Sequence, residues 1–396
     1  MMKSSTKSLL NINTQLSLSN RVVSYLGDDD DEFNKYGDAA EEFNLKNIYK
    51  FDIGRNCDGF SPLIEGVMNM TNLSEEAIKN LVDYPDNHYR LLKSYLSKLY
   101  KIKPESFVMG TGLENIIDIL TRILLSENDR YLLPVPNFSL FEEFSSRAGA
   151  KPIFVYLKKE DDYQWTSATT DKLIYSIKHD SPKILWISNP INPVGQLISS
   201  DEIEKVLKVA EQNNCFVVLD EAYGEYTDQD NSLANGYDLV EKYSNVIILR
   251  TLSKIYGLPS IRIGYLACNN PTIIDAIKLY RQYFPFSWYS LYVGQIAIID
   301  QEYVSLSRRL NIERKTRLFK KLDKLSNFEY IKSQTSVFLL KNKNLSAEEM
   351  ESKLIRRGIF IANHNAISGL KGENFIRITV QDDENNNYLI DELKKL

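Results

Sequence analysis

The sequence is poor in the residues and runs that mark several protein classes. Its 396 residues include only three cysteines, Cys57, Cys215 and Cys268, and they lie far apart with no CxxC spacing. This spacing predicts no metal site and favours reduced, buried thiols, as in a cytoplasmic protein. No stretch approaches the about 20 consecutive apolar residues of a membrane span, so we expect no membrane partner. The first twenty residues are polar and lack the apolar core of a secretion signal.

The chain also lacks a concentration of positive charge. Its 53 acidic residues outnumber its 48 basic ones and give a net charge of -5, and no basic block or arm interrupts the mixture. A nucleic-acid partner or an anionic membrane surface would require such a block. The composition therefore favours a small-molecule partner.

What the chain does contain is a repeated alternation of short apolar runs and longer amphipathic stretches. The apolar runs include SFVMG, YLLPV, KILWIS, CFVVLD and NVIILRT, and helical patterns such as LENIIDILTRILL and DEIEKVLKVAEQ lie between them. This rhythm is typical of an α/β fold with a mainly parallel sheet covered on both faces. A ligand should then bind at the carboxyl ends of the strands.

The length predicts two domains. We expect an N-terminal arm with part of a small domain over residues 1–45, a large domain over 46–290, and a small α/β domain over 291–396. A helix is predicted over 74–84, and one long helix, 293–325, is predicted to lead into the small domain.

Polar or glycine-containing segments follow the predicted strands directly. They are GTGLEN after SFVM, PNF after YLLPV, NPINPVG after KILWIS, DEAY after CFVVL, and TLSK after NVIILR. Strand ends that point at one crevice predict an active site. A plain dinucleotide-binding fold is disfavoured, because the chain has no GxGxxG fingerprint followed by an acidic residue.

The segment RTLSKIYGLPSIRIGYL, residues 250–266, together with NPINPVG and DEAY in that order, resembles the fold-type-I pyridoxal-phosphate (PLP) enzymes. The resemblance is to class I and II aminotransferases, most closely their histidinol-phosphate aminotransferase-like branch, and it runs from about Tyr84 to Arg377. It implies a large domain with a mainly parallel seven-stranded sheet, a smaller α/β domain, and a homodimer with shared active sites.

The resemblance assigns the chemistry to residues at the strand ends. Lys254 would hold the cofactor as a Schiff base and move the substrate's α-proton. Asp220 would keep the pyridine nitrogen protonated, so that the ring withdraws electrons. Tyr223 and Asn192 would hydrogen-bond the 3-oxygen of the ring, and Phe138 would stack on it.

The resemblance also implies a phosphate site and a substrate site. Helix N-termini present unpaired N–H groups that favour anions, and an arginine fork binds two oxygens at once. The phosphate-binding residues would be Gly112, Leu113, Glu114, Thr251, Ser253 and Arg262, with Tyr84 reaching the phosphate of the neighbouring subunit. Arg377 would bind the substrate's α-carboxylate, and Asn56 aligns loosely with a substrate-binding position.

The chain departs from this branch at Ala362, where an arginine for the substrate's distal phosphate is common. This departure favours a substrate other than histidinol phosphate. The segment FPFSWYS, with Trp288 and Tyr289, suits either a pocket for an apolar side chain or packing between subunits.

The sequence thus predicts an aminotransferase that moves an amino group between an amino acid and a 2-oxo acid. A decarboxylase resembling threonine-phosphate decarboxylase, or a lyase or oxidase, stays open, because the same ring stabilises each carbanion. A non-catalytic, aminotransferase-like regulator is disfavoured, because the short acidic arm has no room for a helix-turn-helix module.

Overall fold

The computed structural model describes residues 35–70, 82–227 and 236–396. Residues 1–34 of the arm predicted over 1–45, and most of the helix predicted over 74–84, lie outside these residues. Among the described residues, no helix has the length and apolar character needed to cross a membrane. The same ranges hold no group of three or more His, Cys, Asp or Glu side chains that could bind a metal ion.

A seven-stranded sheet forms the centre of the molecule, with strand order β2-β8-β7-β6-β5-β3-β4. Only β8 runs antiparallel to its neighbours β7 and β2. Both faces are covered by helices, so the central strands are apolar on both sides, as expected for parallel sheets. The strands are β2 Phe107–Thr111, β3 Arg130–Val135, β4 Lys151–Tyr156, β5 Ile184–Ser188, β6 Phe216–Asp220, β7 Val246–Thr251 and β8 Ile263–Ala267.

The helices alternate with these strands and then continue into the C-terminal part. Several begin at a side-chain cap, as Ser199 does by accepting the N–H of Glu202. The helices are α1 Lys35–Glu42, α2 Pro62–Met70, α3 Arg90–Tyr100, α4 Gly112–Leu124, α5 Ser139–Arg147, α6 Ser167–Asp180, α7 Ser200–Gln212, α8 Tyr237–Lys242, α9 Pro271–Tyr280, α10 Trp288–Ile299, α11 Gln301–Leu322, α12 Ala347–Ile355 and α13 Asp383–Leu393.

The long helix predicted over 293–325 is wrong as a single element. The structure has two helices there, α10 and α11, with Asp300 between them in a non-helical conformation. The carboxylate of Asp300 accepts the backbone N–H of Tyr303 at 3.0 Å and so caps α11. The apolar periodicity continues through the break, which is why the pattern predicted one helix.

The C-terminal part contains a second sheet of four antiparallel strands, in the order β12-β13-β10-β9. A short strand from the N-terminal part, β1, pairs in parallel with β11. This pairing favours assigning residues 49–51 to the small domain; the predicted boundary at residue 46 itself stays a prediction. The strands are β1 Tyr49–Lys50, β9 Phe328–Tyr330, β10 Val337–Asn342, β11 Ile359–Phe360, β12 Ala362–Asn363 and β13 Ile376–Thr379.

The two faces of β13 serve different cores. Ile376 and Ile378 pack into the small domain's own cluster with Phe51 and Phe338. Phe375, just before β13, instead joins the cluster of the central sheet. Because successive residues of a strand point to opposite faces, the face of β13 that carries Arg377 is directed at the large sheet.

Candidate active site

Lys254 lies three residues beyond the end of β7, close to the end of β6. Its Nζ is 5.1 Å from the centroid of the Tyr223 ring. The Tyr223 ring is itself buried beside Gly54, where an added Cβ would clash with the Tyr223 hydroxyl. The amine, the phenol and the segment after β1 therefore meet at one point.

Asp220, the last residue of β6, places a carboxylate in the same crevice. It is 5% exposed and accepts the backbone N–H of Ala222 at 2.9 Å. Burial raises the pKa of Asp220 to about 6, although Lys254 and Arg250 act in the opposite direction. A carboxylate held this way favours a cationic partner.

Asn192 contributes a polar atom that the fold leaves unsatisfied. Its Oδ1 is buried and has no hydrogen-bond partner among the described residues. Buried amides usually have partners, so an orphan of this kind points to a ligand or an ordered water.

An anion site lies at the N-terminus of α4. Gly112, the first residue of α4, has φ +81°, and an added Cβ there would clash with the guanidinium of Arg262. The Thr251 hydroxyl bonds that of Ser253 at 3.0 Å, also at this edge of the sheet. The unpaired N–H groups of the first helical turn, which includes Leu113 and Glu114, therefore lie beside a guanidinium.

Arg377 completes the crevice from the small domain. It is 3% exposed, and its Nη2 donates to the carbonyl oxygen of Asp52 at 2.7 Å. Asp52 precedes Gly54 by two residues, and Gly54 contacts Tyr223. A buried guanidinium is thus tied to the backbone segment that touches the Lys254 and Tyr223 pair.

Phe138 and Tyr84 lie in contrasting environments. Phe138 immediately follows the buried Asn137 and packs edge-on against Phe141, with ring centroids 5.6 Å apart. Tyr84 is 81% exposed and stacks on Phe284 at 4.5 Å. Tyr84 therefore lies on the surface of the chain.

Comparisons with known proteins show the family and the fold of this chain. The family described as "Aminotransferase class I and II" matches residues 46–393. The chain belongs to this family. A histidinol-phosphate aminotransferase from Thermoanaerobacter sp. (strain X514) is 32% identical over 336 residues, which are 82% of this chain and 90% of that protein.

Solved structures show the same fold. The histidinol-phosphate aminotransferase of Sinorhizobium meliloti, solved in complex with pyridoxal-5'-phosphate, gives a TM-score of 0.79 at 20% identity and covers 91% of this chain and 93% of its own. L-threonine-O-3-phosphate decarboxylase of Porphyromonas gingivalis gives 0.74 at 20% identity, covering 88% and 99%. The chain is a PLP-dependent aminotransferase, which moves an amino group between an amino acid and a 2-oxo acid.

The residues of this aminotransferase fit PLP. The cofactor carries a ring nitrogen that can be cationic, a polar ring substituent and a phosphate. The buried carboxylate of Asp220 matches the nitrogen, the buried Oδ1 of Asn192 matches the polar ring substituent, and the Gly112 and Arg262 pair at α4 matches the phosphate.

The contacts of Asn56 favour a structural role over substrate contact. Its Nδ2 lies within 3.1 Å of the Ile255 carbonyl and of the hydroxyls of Tyr303 and Ser307, and its Oδ1 accepts the Asp58 N–H. These contacts use both donors of the amide, and they hold the segment after Lys254 against α11. Its predicted substrate contact stays a prediction.

Arg250, for which the sequence motifs indicate no role, lies at the centre of a buried ionic cluster of the aminotransferase. Its Nη2 binds Glu221 at 2.7 Å and its Nη1 binds Glu225 at 2.8 Å. Burial opposes the charge of Arg250, but Glu225 and Glu221 outweigh it and hold its pKa well above the usual range. The two carboxylates flank Tyr223, so this arginine fixes the loop that carries Tyr223.

Replacing Arg250 with methionine should destabilise the protein by about 3–5 kcal/mol, because two buried carboxylates lose their cation. Urea unfolding measures this loss. Arg130→Met is the matched control: Arg130 also lies on a strand of the sheet, but its pair with Asp180 is exposed and should contribute less than about 1 kcal/mol. Equal effects of the two substitutions would contradict the role of the buried cluster.

Proposed function

We propose that the crevice around Lys254 is the active site and that it transfers the amino group of a donor whose anion binds Arg377. The observation that carries this proposal is the connected set of contacts from Lys254 through Tyr223 and Gly54 to Asp52 and Arg377. It brings an amine and a buried guanidinium to the same crevice. An α-amino acid offers the matching pair, an amine and a carboxylate on one carbon.

PLP, when bound, supplies an electron-withdrawing ring that stabilises negative charge at the substrate's α-carbon. The chain's residues do the rest. Arg377 binds and orients the carboxylate, so that the bond from the α-carbon to hydrogen faces the crevice. The Nζ of Lys254 would anchor the cofactor and, once the donor's amine has displaced it, would take the proton from the α-carbon and pass it to the C4′ carbon of the cofactor.

The remaining residues would hold the cofactor in place. Asp220 would supply negative charge at the ring nitrogen, and Tyr223 with Asn192 would hydrogen-bond the oxygen of the ring. Phe138 would stack on the ring. The phosphate group would be bound by Gly112, Leu113, Glu114, Thr251, Ser253 and Arg262.

Replacing Arg262 with alanine should weaken the retention of PLP by roughly 10- to 100-fold, since a bidentate, charge-assisted contact to phosphate is lost. Fluorescence titration of the apo-protein with PLP measures the change. Arg122→Ala is the control, because Arg122 lies in the last turn of α4, at the opposite end from Gly112, and pairs with Asp118 at the surface. An unchanged affinity of Arg262→Ala for PLP would show that Arg262 does not bind the phosphate.

We further propose a homodimer whose subunits share active sites through Tyr84. Its support is an exposed apolar surface that a lone soluble subunit would rarely keep. The surface includes Leu279, Tyr280, Tyr283, Phe284 and Tyr289, with Tyr84 stacked on Phe284. Trp288, stacked on Tyr292 at 5.0 Å, lies in the same segment and fits interface packing.

A panel of amino donors tests the proposed reaction. The PLP-loaded enzyme is mixed with each donor and 2-oxoglutarate, and glutamate, the 2-oxo product and carbon dioxide are measured. Glutamate with a 2-oxo acid formed from an α-amino acid is the expected result. Carbon dioxide release without amino transfer would favour the decarboxylase alternative. Transfer from histidinol phosphate alone would mean that Arg377 binds the phosphate group of the donor and not a carboxylate.

A further inference from the structure

His364 lies beside Arg377 on the face of the small sheet that is directed at the active site. Ala362 pairs directly with Arg377 across β12 and β13, and the N–H of His364 donates to the Phe375 carbonyl at 3.1 Å, which extends the ladder by one pair. Directly paired residues share a face, as do residues two apart on one strand. His364, Ala362, Phe375 and Arg377 therefore share one face.

That face is directed at the large domain. Phe375 belongs to the cluster that contains Tyr223, whereas Ile376 and Ile378 belong to the small domain's own cluster. The loop that follows His364 also reaches the central sheet. An added Cβ at Gly369 would lie 2.6 Å from the nitrogen of Pro136, close to the end of β3.

The imidazole of His364 is buried and incompletely satisfied. The residue is 7% exposed, and its Nδ1 has no hydrogen-bond partner among the described residues. Burial, and after it the charge of Arg377, lowers the pKa of His364 to about 3. A neutral imidazole donates a hydrogen bond at one nitrogen and accepts one at the other, so the Nδ1 atom can take a partner beyond those that the described residues supply.

On this face of the sheet, Ala362 contributes only a methyl group. Ala362 stands directly opposite Arg377, and His364 follows on the same side. The charge of Arg377 acts on the imidazole of His364, so an oxygen bound to the guanidinium would lie near the ring. A carboxylate or a phosphate has further oxygens for a second donor.

We infer that His364 is a specificity-determining residue that binds, together with Arg377, the anionic group of the amino donor. This inference rests on the proposed function, because it places the donor's anion at Arg377. The shared chemistry is an anion of two or three oxygens, which a carboxylate or a phosphate can supply. His364 adds one hydrogen bond to an oxygen that Arg377 already neutralises, so it strengthens binding more than it changes the rate of the chemical step.

The test compares three donors that share one side chain and one amine. L-Histidine carries a carboxylate, L-histidinol phosphate carries a phosphate, and L-histidinol carries no anion. His364→Phe keeps a ring without nitrogens and should raise the KM of the anionic donor that the enzyme uses by roughly 10- to 100-fold, as expected for a lost hydrogen bond to a charged group. The kcat for that donor, and the KM for L-histidinol, should change less than about twofold.

A second variant and a control complete the experiment. His364→Gln keeps a neutral hydrogen-bonding group and should recover part of the lost affinity. His179→Phe makes the same substitution at an exposed histidine on α6 and should change nothing. Calorimetric titration with succinate and with inorganic phosphate, which cannot donate an amino group, should show the same loss in His364→Phe for the anion that the site prefers.

The outcomes separate this inference from the proposed function. A wild-type enzyme that transfers no amino group from any anionic donor would overturn the proposed function. An active wild-type enzyme whose His364→Phe variant keeps its KM and its anion affinity, or loses the neutral donor to the same degree, would overturn the role of His364 alone.

Discussion

Replacing Lys254 with alanine is expected to reduce turnover by more than about 10⁴-fold, because one side chain is assigned both the anchoring of PLP and the transfer of the α-proton. Its amine lies over the Tyr223 ring, where it can reach a group held between Asp220 and Asn192. Stopped-flow measurement of amino transfer gives the rate of the variant.

The control for this prediction is Lys208→Ala. Lys208 is an exposed residue of α7, and it pairs with Glu204 at 3.6 Å on the surface. We expect this control to keep full activity. A Lys254→Ala variant that retained more than a few per cent of the wild-type rate would show that Lys254 is not the catalytic amine. Another amine in the crevice would then have to do the chemistry.

Replacing Asp220 with asparagine should have opposite effects on activity and on the stability of the apo-protein. The variant loses the negative charge that the ring nitrogen requires, and kcat should fall by about 10²–10³-fold, as for other preorganised electrostatic groups. Without PLP, however, the buried carboxylate of the wild type has no cationic ring beside it, so removing its charge should stabilise the apo-protein.

The pKa of Asp220 gives the sign and the size of this stabilisation. It lies at about 6 in the folded protein, above the ordinary value of 3.8, because burial disfavours the ionised form. Folding stability is therefore lost as the pH rises from 3.8 to 6, by about 3 kcal/mol. Urea unfolding of the apo-proteins should show Asp220→Asn more stable than wild type at pH 8 and nearly equal to it at pH 4.

Asp118→Asn is the control, because Asp118 pairs with Arg122 at the surface of α4. An apo-protein of Asp220→Asn that is less stable than wild type at pH 8 would contradict the burial of an unpartnered charge. Unchanged kcat would remove Asp220 from the ring nitrogen.

The sequence predicted the large sheet well because each strand is a short apolar run bounded by a polar segment. The runs that end at Asp220 and Thr251 are buried along most of their length, and such runs predict strands covered on both faces. The motifs after these strands also predicted which side chains meet. Parallel strands bring their carboxyl ends to one edge, so Lys254 and Tyr223 lie together although 31 positions separate them.

What the sequence did not predict depends on contacts between distant segments. Nothing near Arg250 indicates that Glu221 and Glu225 bind it, since the pairing needs the register of β6 and β7. His364 lies in a loop whose sequence has no motif, and its place beside Arg377 follows from the pairing of β12 with β13. Only a loose alignment indicated that Asn56 binds substrate. In the structure, Asn56 hydrogen-bonds Ile255, Tyr303 and Ser307, which lie far from it in the sequence.

The most direct test of the active site is to find where PLP attaches. The PLP-loaded protein is reduced with borohydride and digested, and the peptides are analysed by mass spectrometry. We predict that the reduced cofactor is on the peptide that contains Lys254, and that it is lost in Lys254→Ala. A label on a different lysine, or an active enzyme with no reducible link, would contradict the assignment of the crevice at the carboxyl ends of β6 and β7 as the active site.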